Sequence, residues 1–293
     1  MTVVVGYVRG KCGPAPLNLA VELADALGTS LVVATVVPEP WRTPSLARVD
    51  AEYTAWADAL AAESREEAAE YLAGGSTDVE ITYRQVSART SGDGLVEVAD
   101  ELSADALVIG SSSDGALGQI VLGTTTDWLL HSSPVPVALS PRGYRGARGD
   151  KLTRLTCAYS GTASSMRVVE RVAEITANSP LAMRVLSFAI RGRTMFPPEV
   201  GLHAEDSILE AWAEDLRTML AKLRSDGVVT GDVELKVVTG NGWDQALDNT
   251  EWDDGELLVL GTTGRRGIKG VFLGSHGAKI IRYSPVPVLV MPK

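Results

Sequence analysis

The chain has 293 residues, enough for about two domains of ~150 residues each, and 45% of them are apolar, so each half can bury a core and disorder is excluded. Acidic residues (37) outnumber basic ones (27), and the formal charge of −10 argues against a surface built for nucleic acid or an anionic membrane. Cys12 and Cys157 are too few for a disulfide framework, residues 1–6 lack the basic region of a secretory leader, and no apolar run approaches the ~18 residues of a membrane span, so a soluble cytoplasmic protein is expected.

Strand and helix patterns alternate from the start. Residues 3–7 read as a buried strand. Residues 17–27 carry Leu19, Leu23, Ala26 and Leu27 on one helical face and stop at Gly28. Residues 31–37 form a second strand. A helix over 49–72 follows, with Val49, Tyr53, Trp56 and Leu60 on its apolar face. A strand at 79–86, a helix at 95–102 and a strand at 106–109 come next. The last of these ends in Gly110, and a loop with Gly115 and Gly118 leads to a short helix from Gly123-Thr124 to His131. A final strand at 135–139 carries Pro134 and Pro136, which place it at a sheet edge or fix its start.

The same order then returns. Strands are expected at 155–159, 181–189, 233–238 and 257–260, and helices at 166–177, 207–223, 243–250 and 276–283. Ile208, Leu209, Trp212, Leu216, Met219 and Leu223 line the apolar face of the second of these helices. Gly110 and Gly261, Gly123 and Gly274, and Pro134 and Pro285 are each 151 positions apart. A repeat of that length is a duplicated domain rather than a solenoid. Alternating strands and helices imply right-handed crossovers and a parallel sheet. The domains are therefore 1–141 and 154–293. Residues 142–153 hold Gly143, Gly146 and Gly149 among Arg142, Arg145, Arg148 and Lys151, and read as a solvated, flexible linker. A nucleic-acid patch would need aromatics beyond the single Tyr144.

The most informative stretch is 256–275. A short apolar strand ends at Gly261, a loop with Gly264, Gly267 and Gly270 follows, and Gly274-Ser275 opens a helix. Glycines admit close approach of an anion to backbone N–H groups, and a helix start adds unpaired donors and partial positive charge. Arg265 and Arg266 lie inside this loop, and Arg191 and Arg193 follow the second strand of that half, where exposure to solvent is the commoner fate. Other patterns carry less. Gly240-Asn241-Gly242 lacks the third glycine of a dinucleotide turn and reads as a plain turn. His131, His203 and His276 are too scattered for a metal pair, and Asp244, Asp248 and Glu251 read as a solvated face.

The spacing Gly261-x2-Gly264-x9-Gly274-Ser275 resembles the nucleotide-binding signature of the universal stress protein family, and Pro285-Val286-Pro287-Val288-Leu289-Val290 resembles that family's ending. The likeness covers nearly the whole chain as two tandem domains. It implies an α/β, doubly wound fold, with five parallel strands in order 3-2-1-4-5 in each half and helices on both faces. Ligands of such sheets sit beyond the carboxyl ends of strands 1 and 4. Some family members bind ATP there, so ATP, or AMP or ADP, is the implied ligand, with Mg2+ accompanying it where present. The resemblance also implies an intramolecular pseudo-dimer made through the last strands, and leaves open a further homodimer and a protein partner.

Carried over by position, Gly261, Gly264, Gly274 and Ser275 match the phosphate-binding residues, flanked by Leu260 and His276, with Ser160 and Phe188 bordering base and ribose. Where the family has Asp-Gly-Ser after its first strand, this half has Ser160-Gly161-Thr162, without the carboxylate. In the first half Gly110, Gly123 and Thr124 match, Ser113 replaces the second glycine, and Val8-Arg9-Gly10 follows the strand. Serine is disfavoured at Ser113 if that position needs positive φ. The resemblance thus implies a nucleotide-binding regulatory module whose better site is in the second half. An interaction scaffold with empty sites is the alternative. A nucleotide-processing enzyme is the least favoured reading, because no His-x-Gly-His or Ser-Gly-Gly-x-Asp-Ser element occurs.

Overall fold

The computed structural model describes residues 2–11, 13–39, 47–75, 77–147, 151–191, 202–262 and 275–292, with helix positions 47–50, 202–208 and 275 described by backbone alone. The first half runs β1 (Thr2–Gly6), α1 (Ala15–Leu27), β2 (Ser30–Pro38), α2 (Ala47–Ala73), β3 (Ile81–Ala88), α3 (Ser91–Glu101), β4 (Ala106–Gly110), α4 (Thr124–Ser132) and β5 (Val137–Ser140). The second runs β6 (Arg154–Ala158), α5 (Ala163–Ala177), β7 (Ala182–Ile190), α6 (Leu202–Ser225), β8 (Glu234–Gly240), α7 (Trp243–Asp248), β9 (Glu256–Gly261), α8 (Ser275–Tyr283) and β10 (Val288–Met291). Helix starts fall a few residues earlier than periodicity alone places them, because caps set them. The Thr90 hydroxyl accepts from Asp93 N at 3.1 Å to open α3, and Thr162 and Ser165 form a reciprocal box at the start of α5.

The strands form one sheet in the order β3-β2-β1-β4-β5-β10-β9-β6-β7-β8. Each half therefore has the expected 3-2-1-4-5 order, with every pairing inside a half parallel. The halves join where β5 meets β10 antiparallel, Ala138 opposite Leu289. This joint pairs what would otherwise be an open edge of each half. The prolines accordingly mark strand starts and not edges: Pro136 O accepts from Leu107 N, and Pro287 O from Leu258 N, just before β5 and β10.

Alternation along the strands builds two apolar layers. Val3, Val5, Leu155, Cys157, Leu257 and Val259 face one way, against α1, α2, α5 and α6. Val4, Leu107, Leu139, Leu258, Leu260 and Val288 face the other, with Leu129 of α4 and Ile281 of α8 among them. Burial of these residues on both faces is why the strands read as continuous apolar runs. Burial pushes the Cys157 thiol far above its ordinary value, so it behaves as a small core residue and not as a nucleophile.

Two corners show the duplication in detail. In the first half, a side chain on Gly94 of α3 would meet Val36 Cγ1 at 2.7 Å and Ala88 Cβ at 3.0 Å. In the second, one on Gly240 of β8 would meet Ala246 N at 2.7 Å. Ala88 corresponds to Gly240 and Gly94 to Ala246, each 152 positions on, so the same tight strand–helix contact places its glycine on opposite partners. Gly240-Asn241-Gly242 is thereby a packing turn, with Asn241 N donating to Gln245 Oε1 at 2.7 Å.

The connecting segment differs from the solvated linker expected of it. Tyr144 Oη donates to Glu22 Oε2 at 2.6 Å, Ala147 N donates to Glu22 Oε1 at 2.6 Å, and Asn18 Nδ2 donates to Tyr144 O at 3.1 Å. Ala147 and Leu152 are buried. A buried carboxylate on α1 needs donors, and this segment supplies them.

Candidate functional site

The carboxyl ends of β6, β7 and β9 open onto a cavity of about 1150 Å3. Its volume is slightly above the roughly 300–1,000 Å3 of a small-molecule site. Three helices, α5, α7 and α8, begin at this edge, so their N-termini gather at one end of the sheet. Ser160, Phe188, Leu260, Gly261 and His276 all line the cavity. Ser275 opens α8, and its side chain lies outside the described residues, as do Gly264, Gly267, Gly270, Gly274, Arg193, Arg265 and Arg266.

The geometry sharpens the part each residue can play. Gly261 is required by packing: a side chain there would come within 2.9 Å of both Ser164 Oγ and Val168 Cγ2 on α5. The Ser160 hydroxyl sits 3.3 Å from Thr162 Oγ1 and 3.4 Å from Ser165 Oγ, and Ser160 N donates to Ser165 Oγ at 3.2 Å. It belongs to the hydroxyl cluster that caps α5 and offers no negative charge. Tyr159 is lifted above its ordinary 10.0 by burial, with Asp226 adding to the effect, so its phenol stays neutral at neutral pH.

Sequence reading named Phe188 and His276 but missed Trp243, the ring that joins them. Trp243, the first residue of α7, has its ring centroid 5.5 Å from that of Phe188 and 5.5 Å from that of His276. The three rings come from β7, α7 and α8 and meet only in the fold. Trp212 and Tyr283 add further aromatic lining, and both are exposed. Arg191, Lys279 and Arg282 line the cavity against Asp244 as the one acidic lining residue among those described. In a chain of net charge −10 that is a local reversal of sign, and a focus for an anion. Asp244 and Asp248 are exposed, in keeping with a solvated face.

The first half has a counterpart cavity of about 710 Å3, lined by Gly110, Gly123 and Thr124 together with Arg9, Lys11 and Arg89. Among the described residues the only non-glycine with positive φ is Ser103, so the backbone at Ser113 makes no demand for glycine and the objection to serine there falls away. The loop is held shut by its own bonds. Val121 N donates to Ser111 Oγ at 2.8 Å, Ser112 N donates to Val121 O at 2.9 Å, and Arg142 reaches Gly115 O. Aromatic walls are absent at the corresponding places: Val36 stands for Phe188, Ser91 for Trp243 and Thr125 for His276.

One expectation is corrected in both halves. Trp56 and Trp212, placed by periodicity on the apolar faces of α2 and α6, are 51% and 44% exposed. The buried contacts are made by the alanines that follow, Ala57 and Ala213, and each Trp lines a cavity instead.

Comparison with known proteins places this architecture. Residues 1–141 and 151–292 each match the family described as the universal stress protein family. Universal stress protein Rv2319c of Mycobacterium tuberculosis is 55% identical over 292 residues, covering 100% of both chains, and Universal stress protein Mb2346c of Mycobacterium bovis matches to the same extent. A solved universal stress protein from Archaeoglobus fulgidus aligns over 99% of this chain and 98% of its own, with a TM-score of 0.60 at 18% identity, a likeness of fold.

Proposed function

The chain belongs to the universal stress protein family, and from that premise we propose that its second half binds an adenine nucleotide and that the protein acts as a cytoplasmic, ligand-responsive regulatory module. The observation that carries this reading is the cavity at the carboxyl edge of β6, β7 and β9. It has an aromatic wall of Phe188, Trp243 and His276 and a cationic lining of Arg191, Lys279 and Arg282. A flat base suits the first, and phosphates suit the second and the helix starts beside it. ATP, ADP or AMP fits this donor set. No cluster of three or more His, Cys, Asp or Glu among the described residues is placed to hold a metal. Mg2+ would therefore enter on the phosphates. The proposal is of binding, with the phosphate contacts assigned to the 261–264 and 274–275 segments.

Calorimetric titration of ATP and AMP into the whole protein tests it. The expected result is binding by the wild type and its loss in Gly274→Val, since a branched side chain would push the phosphates off the backbone. Equal affinity in both would overturn the assignment. A second reading is favoured by one feature: Ser160 occupies the acidic position of the resemblance and its hydroxyl is engaged in the α5 cap. If the wild type binds no adenine nucleotide and none copurifies, the pair of domains is an interaction scaffold instead.

A further inference from the structure

Each half sets one tryptophan at the mouth of its cavity. Trp56 on α2 lines the first cavity beside Leu60, and Trp212 on α6 lines the second beside Leu216. Both stand at the head of the same short pattern, Trp56-Ala57-Asp58-Ala59-Leu60 and Trp212-Ala213-Glu214-Asp215-Leu216, 156 positions apart. The alanine that follows is buried in each, at 6% and 2% exposure, and anchors the helix to the sheet. The indole is left about half in water.

Helix packing does not call for this. A residue meant only to cover strands loses transfer free energy when half its ring stays wet, and a smaller side chain would serve. The rest of the lining diverges at three places, aliphatic or small residues in one and aromatic in the other, at 36 and 188, 91 and 243, and 125 and 276. Beyond the strand-end residues Tyr7 and Tyr159, Ile109 and Leu260, and Gly110 and Gly261, two features are shared. One is the rim tryptophan. The other is a set of cations, Lys11 and Arg89 in the first cavity, where Arg9 is already paired with Glu63 and Glu67, and Arg191, Lys279 and Arg282 in the second. The first ring is also held in place. The Tyr53 ring lies 5.6 Å from that of Trp56, and Tyr53 Oη donates to Pro38 O at 2.9 Å at the end of β2.

We propose that Trp56 and Trp212 are ligand platforms, each closing its cavity against the flat face of a heteroaromatic group whose anionic tail meets the mostly solvent-facing cations that line it. Both halves then hold a live site for the same class of ligand, a planar base with a phosphate-like tail. This rests on the nucleotide reading for the second half, and adds the first-half site and the residue that contacts the base in each.

The test uses the full chain with two probes, ATP and inorganic triphosphate, which lacks a base. Trp56→Ala and Trp212→Ala are compared with Trp56→Phe and Trp212→Phe by calorimetry, with molecular mass in solution followed in parallel. The wild type should bind two ATP. Each alanine variant should weaken one of the two sites by roughly tenfold or more, each phenylalanine variant should keep most of the affinity, and triphosphate binding should not change. ATP binding that is indifferent to both alanine substitutions overturns the proposal and leaves the nucleotide reading intact. One ATP per chain, insensitive to Trp56→Ala, overturns the first-half site. Loss of a larger assembly in the alanine variants at unchanged ATP affinity assigns the tryptophans to contacts between copies and overturns it too. A wild type that binds no ATP overturns the underlying nucleotide reading, and this inference with it.

Discussion

In the first half the turn after β1 carries Arg9, clamped by Glu63 at 2.9 Å and Glu67 at 3.0 Å on α2. At the same corner of the second half stands Gly161, with Met219 of α6 folded down against it. Glu63 and Met219 are 156 positions apart and Glu67 and Leu223 likewise, so a charged clamp in one copy is an apolar contact in the other. The far end of the sheet diverges in the opposite sense. Glu256, buried at the start of β9, takes Arg184 at 2.5 Å, the Thr156 hydroxyl and Asp253 N at 2.9 Å, and Arg184 lies over the Trp252 ring at 5.2 Å. The matching positions in the first half are Asp105, Val32 and Val4, and Asp105 Oδ2 is buried with no hydrogen-bond partner among the described residues. The strand order and the parallel pairing are the same in both. What differs lies in side chains near the strand starts and in the turns after the strand ends, where backbone pairing leaves side-chain chemistry free to diverge.

The comparison can be broken most forcefully at that buried pair. Glu256→Ala strands the Arg184 guanidinium in the core and should cost about 3–5 kcal/mol of stability, measured by chemical denaturation. Asp105→Ala removes no paired group from the first half and should change stability by less than about 1 kcal/mol. Equal effects would mean that the halves do not differ here as their contacts indicate.

Next comes the connecting segment, which buries Glu22 of α1 while its counterpart on α5, Glu174, is 66% exposed and paired with Arg171. Tyr144→Phe removes a hydrogen bond to a buried carboxylate and should cost about 1.5–3 kcal/mol, where Glu174→Gln should cost almost nothing. Burial first, and Glu22 second, raise the Tyr144 phenol above its ordinary 10.0. A raised folded value means that this contribution is complete below pH 10.0 and is lost as the pH climbs above it. The denaturation midpoint of the wild type should therefore fall above that pH more steeply than that of Tyr144→Phe, and parallel pH profiles would sink this assignment.

The smallest effect sharpens the shared corner. Gly240→Ala drives a methyl toward the backbone of Ala246, whereas Gly94→Ala meets the Val36 methyls and also gains helix propensity. Gly240→Ala should be the more destabilising by about 1–2 kcal/mol in thermal or chemical unfolding. The reverse order would show that the strand side of this contact yields more easily than the helix side.

Much of this was legible in the chain. Strand and helix order follow from apolar runs, glycine stops and a 151-residue repeat, because both halves must bury their inner strands on two faces. The cavity floor was legible too, at Ser160, Leu260 and Gly261, since glycines and strand ends mark where a parallel sheet opens. The completed aromatic wall was not. Phe188 and His276 were named, but the three rings are 33 to 88 residues apart in sequence and share no pattern, and only the crossovers bring Trp243 between the other two. The tryptophan pattern repeats at 156 positions and not at 151, so a search at a single offset passes over it.

By itself the sequence determined the duplicated α/β domain, the strand order through its family signature, and the glycine-rich edge where a ligand can approach, because these depend on local spacing and on burial periodicity. Tertiary structure alone decided three things: that β5 and β10 pair antiparallel with Ala138 opposite Leu289, that the connecting segment docks onto Glu22, and that each half leaves a tryptophan at the lip of a basic cavity. Each of these joins residues distant in the chain, and such contacts depend on how packed helices and strands fill space, which no local pattern encodes.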